Sequence, residues 1–227
     1  MDASNKGKTL WEMLMERLNK SSNGAGIAFA NPKDLRVGSA LNVPYSNGAD
    51  LAGYDFSVQE IREFNRQIGD QEFRFTDYVL NGVNTKNFEA EGALMARLRA
   101  VPNRAGSHDT LLLQLYDEFG FAEDFLEVLK DDTGIFEISD DDTGDKQTYA
   151  RINDLRESYH AAVLVVKETT PYGKAATGKT SAQKIEYWDY WCDVDLGGGK
   201  TAKEFVFVEM NSDTGWFQIW RGREFFE

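Results

Sequence analysis

Residues 173 to 180 read Gly-Lys-Ala-Ala-Thr-Gly-Lys-Thr, a full match to the pattern G-x-x-x-x-G-K-[ST]. In a phosphate-binding loop of this type, successive backbone N–H groups wrap the phosphates. The lysine reaches the terminal phosphate oxygens and the hydroxyl binds Mg²⁺. Those roles would fall to Gly173, Gly178, Lys179 and Thr180.

Such a loop works only if a buried strand leads straight into it and a helix leads straight out, within a parallel sheet. The candidate strand upstream, Ala161 to Val166, is separated from Gly173 by six residues including Pro171. Downstream, Ser181 to Trp191 is rich in aromatics and reads as strand, not helix. The residues after Thr180 are also too few for several further βαβ units of about 30 residues each. The expectation is a long lysine-bearing loop between hairpin arms, with nucleotide binding kept as an alternative reading.

Asp-Thr-Gly occurs at 132–134, 142–144 and 213–215. Paired triplets of this kind carry the shared-proton dyad of aspartic proteases. Here polar residues precede each triplet, and Gly134 and Gly215 directly precede strand candidates, so the triplets read as turns. The acidic run Asp140, Asp141, Asp142 and Asp145 fails the register of a calcium loop. His108 and His160 have no accompanying serine or cysteine nucleophile signature. Cys192, the single cysteine, reads as a small core residue within an aromatic strand. No catalytic residue, metal site or cofactor is assigned.

The densest chemical signal is aromatic. Trp188, Tyr190, Trp191, Trp216 and Trp220 fall on candidate C-terminal strands, with Tyr187 and Phe217 beside them. Alternation places Trp188 and Tyr190 on one side, Tyr187 and Trp191 on the other. One set can fill a core. The other needs a cover, which can be a helix, a second sheet, a partner or a stacked ligand.

The 227 residues carry 38 acidic and 25 basic side chains, a net charge of −13, which opposes nucleic acid and anionic membranes. Hydrophobic residues make up 41%, enough for a folded core. No signal peptide or apolar run long enough to cross a bilayer is evident, and a lone cysteine excludes an internal disulfide. A cytoplasmic location is expected.

Residues 8–20 suggest an amphipathic helix, with Leu10, Leu14 and Leu18 at four-residue spacing, able to make peripheral contacts. A flexible break follows, and residues 1–26 are set apart from a β-rich unit over 27–227. That unit is treated as one body or as two lobes, 27–105 and 106–227. Strands are expected at 35–43, 73–80, 94–98, 110–116, 135–138, 161–166, 185–194, 204–210 and 215–220, with a short helix over 121–130. Residues 56–68 carry both a helical and a strand signature and are left open. Asp-Tyr within an aromatic strand occurs at 77–78 and again at 189–190, a faint echo of duplication.

The fold class expected is α+β and predominantly antiparallel β: a meander, barrel- or sandwich-like, with an N-terminal amphipathic helix and one or two short helices. The expected role is a non-catalytic interaction or accessory protein with a protein partner. The alternatives are a nucleotide-binding enzyme using 173–180, or a small-molecule or carbohydrate binder on the C-terminal aromatic face.

Overall fold

A computed structural model describes residues 35–42, 51, 54–68, 71–84, 94–102, 108–139, 144–152, 159–166 and 182–224. The 8–20 helix, the 105/106 lobe boundary and the 173–180 segment lie outside these residues. Residues 36–226 belong to one compact unit.

The fold is mostly antiparallel sheet. Its strands are β1 (Ala40–Asn42), β2 (Tyr54–Ile68), β3 (Gln71–Asn84), β4 (Leu94–Pro102), β5 (His108–Phe119) and β6 (Ile135–Ser139). They continue as β7 (Lys146–Arg151), β8 (Tyr159–Val166), β9 (Ala182–Asp195), β10 (Thr201–Asn211) and β11 (Phe217–Glu224). A single helix among the described residues, α1 (Glu123–Lys130), follows β5.

Two four-stranded meanders, β2-β3-β4-β5 and β8-β9-β10-β11, make up most of the sheet. Strand β5 pairs with β11, and β8 pairs with β2, so the order of pairing returns to the strand where it began. Strand β1 adds to β2, and the β6–β7 hairpin adds to β9. The Asp-Tyr pairs at 77–78 and 189–190 sit on β3 and β9, the second strand of each meander. All four of these residues are buried.

Residues 56–68 are strand throughout. Ladders to β3 on one side and to β1 and β8 on the other outweigh the local helical signature, in which Ser57 and Glu60 make a capping-box pattern. A bulge between Val58 and Glu60 reverses the faces within β2. Phe56 and Val58 therefore register with Gly82 and Leu80, whereas Phe64 stacks on Phe75 across the opposite face, ring centroids 4.6 Å apart. Gly82 is required here, because a Cβ at that position would lie 2.3 Å from the Phe56 ring.

The register divides the strands of the ring into an outward and an inward face. On the outward side of β9–β11, Trp188, Tyr190, Val206, Val208, Phe217 and Ile219 form a dry core. The β6–β7 hairpin covers it with Phe136, Ile138 and Tyr149, and α1 covers it with Leu129. Glu123, Asp124 and Glu127 of α1 face solvent. Arg151 Nη2 donates to the Leu129 carbonyl near the helix C-terminus, where a cation also meets the negative end of the dipole.

Both described Asp-Thr-Gly triplets are turns. Gly134 and Gly215 have φ of 63° and 70°, the left-handed region that glycine enters without steric penalty. Asn211 Oδ1 accepts hydrogen bonds from the amides of Asp213 and Thr214, closing the β10–β11 turn.

Candidate functional site

The inward face sets an unusual amount of buried charge beside an apolar cluster of Leu111, Leu113, Phe207 and Trp220. From β3 comes Asp77, from β4 Arg97 and Arg99, from β9 Asp189, and from β10 Glu209, all buried. They share one side of the sheet because Asp77 registers with Arg99, Asp189 with Phe207, and Glu209 with Tyr187 and Gln218.

Two arginines and two carboxylates form a network across this interior. Arg99 grips Asp77 through two parallel bonds, each 2.8 Å, and donates a third to Glu209 at 2.8 Å. Arg97 donates to Glu209 at 2.6 Å and to the Gln218 side-chain oxygen at 3.0 Å, with Asp77 more distant at 3.5 Å. Aromatic faces clamp both guanidiniums. Arg97 lies 3.6 Å over the Trp220 ring, and Arg99 lies 4.4 Å from Phe207 and 4.5 Å from Phe75.

Burial pulls the Arg97 guanidinium below its ordinary value, against the opposing fields of Glu209 and Asp77. Arg99 goes the other way: its close pairing with Asp77 outweighs burial and raises it. Burial alone would push the Glu209 carboxyl up, but the two guanidiniums outweigh that and hold it below the usual carboxylate range. Glu209 is thus a fixed anion at neutral pH, unsuited to exchanging protons there.

Glu209 and Gln218 also line a cavity of about 240 Å³ beside the β10–β11 turn. Its apolar wall is Phe64, Ile185 and Trp216. Arg62, Gln183, Asn211 and Thr214 complete the polar lining. Arg62 is paired with Glu60 at 2.6 Å. Trp216 is held at the rim by the turn itself: its carbonyl accepts from the Asn211 amide at 2.9 Å, and its amide donates to Thr214 Oγ1. Trp216 is 46% exposed, and Gly120 leaves room beside its ring. Deeper inside, Arg97 Nε and Trp220 Nε1 have no hydrogen-bond acceptor among the described residues.

The five aromatic residues singled out from sequence do not share one surface. Trp188 and Tyr190 lie in the outward core, and Trp220 lies in the interior against Arg97. Trp191 is half-buried with the Lys203 ammonium 4.4 Å from its ring, and Trp216 alone lines the cavity. Gly173, Gly178, Lys179 and Thr180 are outside the described residues. The strands on either side of them, β8 and β9, are antiparallel neighbours, and β9 begins at Ala182. Only Ser181 separates Thr180 from that strand, which leaves no place for the helix a phosphate-binding loop must open.

A second polar cluster lies on the outward face. Glu204 accepts from Tyr149 Oη at 2.6 Å, from Arg221 at 2.8 Å and from Arg223 at 2.9 Å. Burial and the Glu204 carboxylate push the Tyr149 phenol up. Cys192 is buried nearby, its thiol pushed up by burial. The described residues contain no group of three or more His, Cys, Asp or Glu side chains placed to hold a metal ion. They also contain no helix long and apolar enough to cross a membrane.

Sequence reasoning missed Arg97, Arg99 and Asp77 as a site. The signal was present in Ala96-Arg97-Leu98-Arg99-Ala100, where two arginines alternate with apolar residues at strand period. Alternation ordinarily means that the charged face meets water. Here the strands curl so that it meets other charges. Comparison with family models, with curated proteins and with solved structures finds no match to this chain.

Proposed function

We propose that this is a non-catalytic binding protein that takes a small ligand into the inward cavity beside the β10–β11 turn. The pairing that returns to β2 acts as a barrel wall, and the cavity is its mouth. The observation that carries the reading is the buried Arg97–Glu209–Arg99–Asp77 network directly beneath that cavity. Buried ion pairs are weak sources of stability, and apolar replacements of similar volume are often neutral or better. A cluster of this kind is better explained by what it positions. It holds an ionised carboxylate and the Gln218 amide at fixed places in the cavity lining.

The same observation argues against catalysis in this cavity. A general acid or base works best with a pKa near the operating pH. Glu209 is driven away from that range.

Saturation-transfer NMR with a library of small neutral fragments tests the reading. Wild type should yield binders, and Gln183→Trp, which fills the mouth, should lose them while keeping the wild-type circular dichroism spectrum. No binder to wild type, or binders retained by folded Gln183→Trp, would overturn it.

A further inference from the structure

Resting on the cavity reading above, we infer that the ligand is neutral, cyclic and polyhydroxylated, the size of a single monosaccharide ring. Four features of the cavity converge on this class.

The first is charge. Arg62 is balanced by Glu60, and Glu209 and Asp77 are balanced by Arg97 and Arg99. A phosphate, sulfate or carboxylate would therefore meet no net positive field. A cation would have to compete with two guanidiniums for Glu209 and would face a third at Arg62.

The second is hydrogen-bonding capacity. An ionised carboxylate has about four lone-pair sites. The arginines use one bond on each Glu209 oxygen, so each can still accept from a ligand hydroxyl. Arg62 can donate from N–H groups beyond the one bonded to Glu60. The Gln183 amide is of the kind that both donates and accepts, while Asn211, whose Oδ1 already accepts from two turn amides, offers its NH₂ as a donor. Hydroxyl groups, each a donor and an acceptor, match this mixture better than a carbonyl-only or amine-only ligand.

The third is the aromatic rim. A sugar ring presents a face of C–H groups that packs on an indole plane while its hydroxyls point outward to polar neighbours. Trp216 offers such a plane at the mouth, with Phe64 and Ile185 forming the rest of the apolar wall.

The fourth is size. Drug-sized ligands occupy pockets of roughly 300–1,000 Å³. A space of about 240 Å³ lies below that range, on the scale of one substituted ring.

Calorimetric titration separates this class from others. The neutral probes are D-glucose, D-galactose, D-mannose and myo-inositol. The charged probes are D-glucuronate, D-glucosamine and glucose 6-phosphate, and benzamide serves as a planar neutral probe. At least one neutral polyol should bind, the charged analogues should bind about tenfold more weakly or not at all, and Trp216→Ala should weaken the polyol by about tenfold or more. Benzamide or a charged probe binding to wild type but not to Gln183→Trp, with no polyol binding, would overturn the ligand class and leave the cavity reading standing. No binding by any probe, together with an empty fragment screen, would remove both.

Discussion

Arg97 on β4 donates a 2.6 Å hydrogen bond to Glu209 on β10, joining residues 112 positions apart in the chain. The two strands are not neighbours, since β5 and β11 lie between them in the pairing order. The bond therefore spans the interior and ties one meander to the other. Glu209→Gln leaves two buried guanidiniums facing a single full carboxylate and should destabilise the fold by about 3–5 kcal/mol. Arg97→Met with Glu209→Leu leaves the Arg99–Asp77 pair intact and should recover most of that loss. Urea unfolding of both variants checks this, and additive losses in the double variant would show that the two residues do not act as a pair.

The network also sets a pH dependence. Glu209 and Glu204 are both held below the ordinary value of 4.5, against burial, by their arginine partners and, for Glu204, the Tyr149 hydroxyl. The folded state thus releases these protons more readily than the unfolded chain. Their stabilisation is complete above the ordinary value and is lost as pH falls below it, through the folded-state values. Stability should hold from neutral pH to about pH 5 and fall more steeply below it in wild type than in Glu209→Gln. Denaturant unfolding across that range is the check, and parallel acid limbs would show that Glu209 is not held ionised.

The tryptophans should separate by environment. Trp188 and Trp220 are almost wholly buried, one in the outward core and one under Arg97. Truncating either to alanine should cost about 3–5 kcal/mol. Trp216→Ala should change stability by roughly 0.5 kcal/mol or less, as for most exposed positions. Equal losses at all three positions would place Trp216 in the core and remove it as a ligand platform.

Most strands and the 121–130 helix were legible because apolar alternation, glycine turns and the acidic outer face of Glu123, Asp124 and Glu127 reported them directly. Gly134 and Gly215 sit at left-handed turn positions, as their place before strand candidates implied. Residues 56–68 were not legible, because a bulge at Val58–Glu60 puts residues of the same parity on opposite faces. No single-strand pattern contains that information. The site was hidden for a related reason. Arg97, Asp77 and Glu209 meet only through pairings between distant strands, and each alone reads as an ordinary charge on a strand. The aromatic residues read together in the sequence fall in separate environments: the outward core at Trp188 and Tyr190, the interior at Trp220, a half-buried position beside Lys203 at Trp191 and the rim at Trp216.

Titration with Mg·ATP or Mg·GTP should give no heat of specific binding, since β9 begins where a phosphate-binding loop needs a helix. A micromolar dissociation constant that disappears in Lys179→Ala would show that the segment works without that context.

The indole N–H resonances of the protein, followed by two-dimensional NMR during titration with fragment or sugar binders, test the cavity most directly. The Trp216 resonance should shift in a saturable way, while that of Trp188, enclosed behind the β6–β7 hairpin and α1, should stay in place. Binders that leave Trp216 unmoved would contradict a ligand site in the inward cavity.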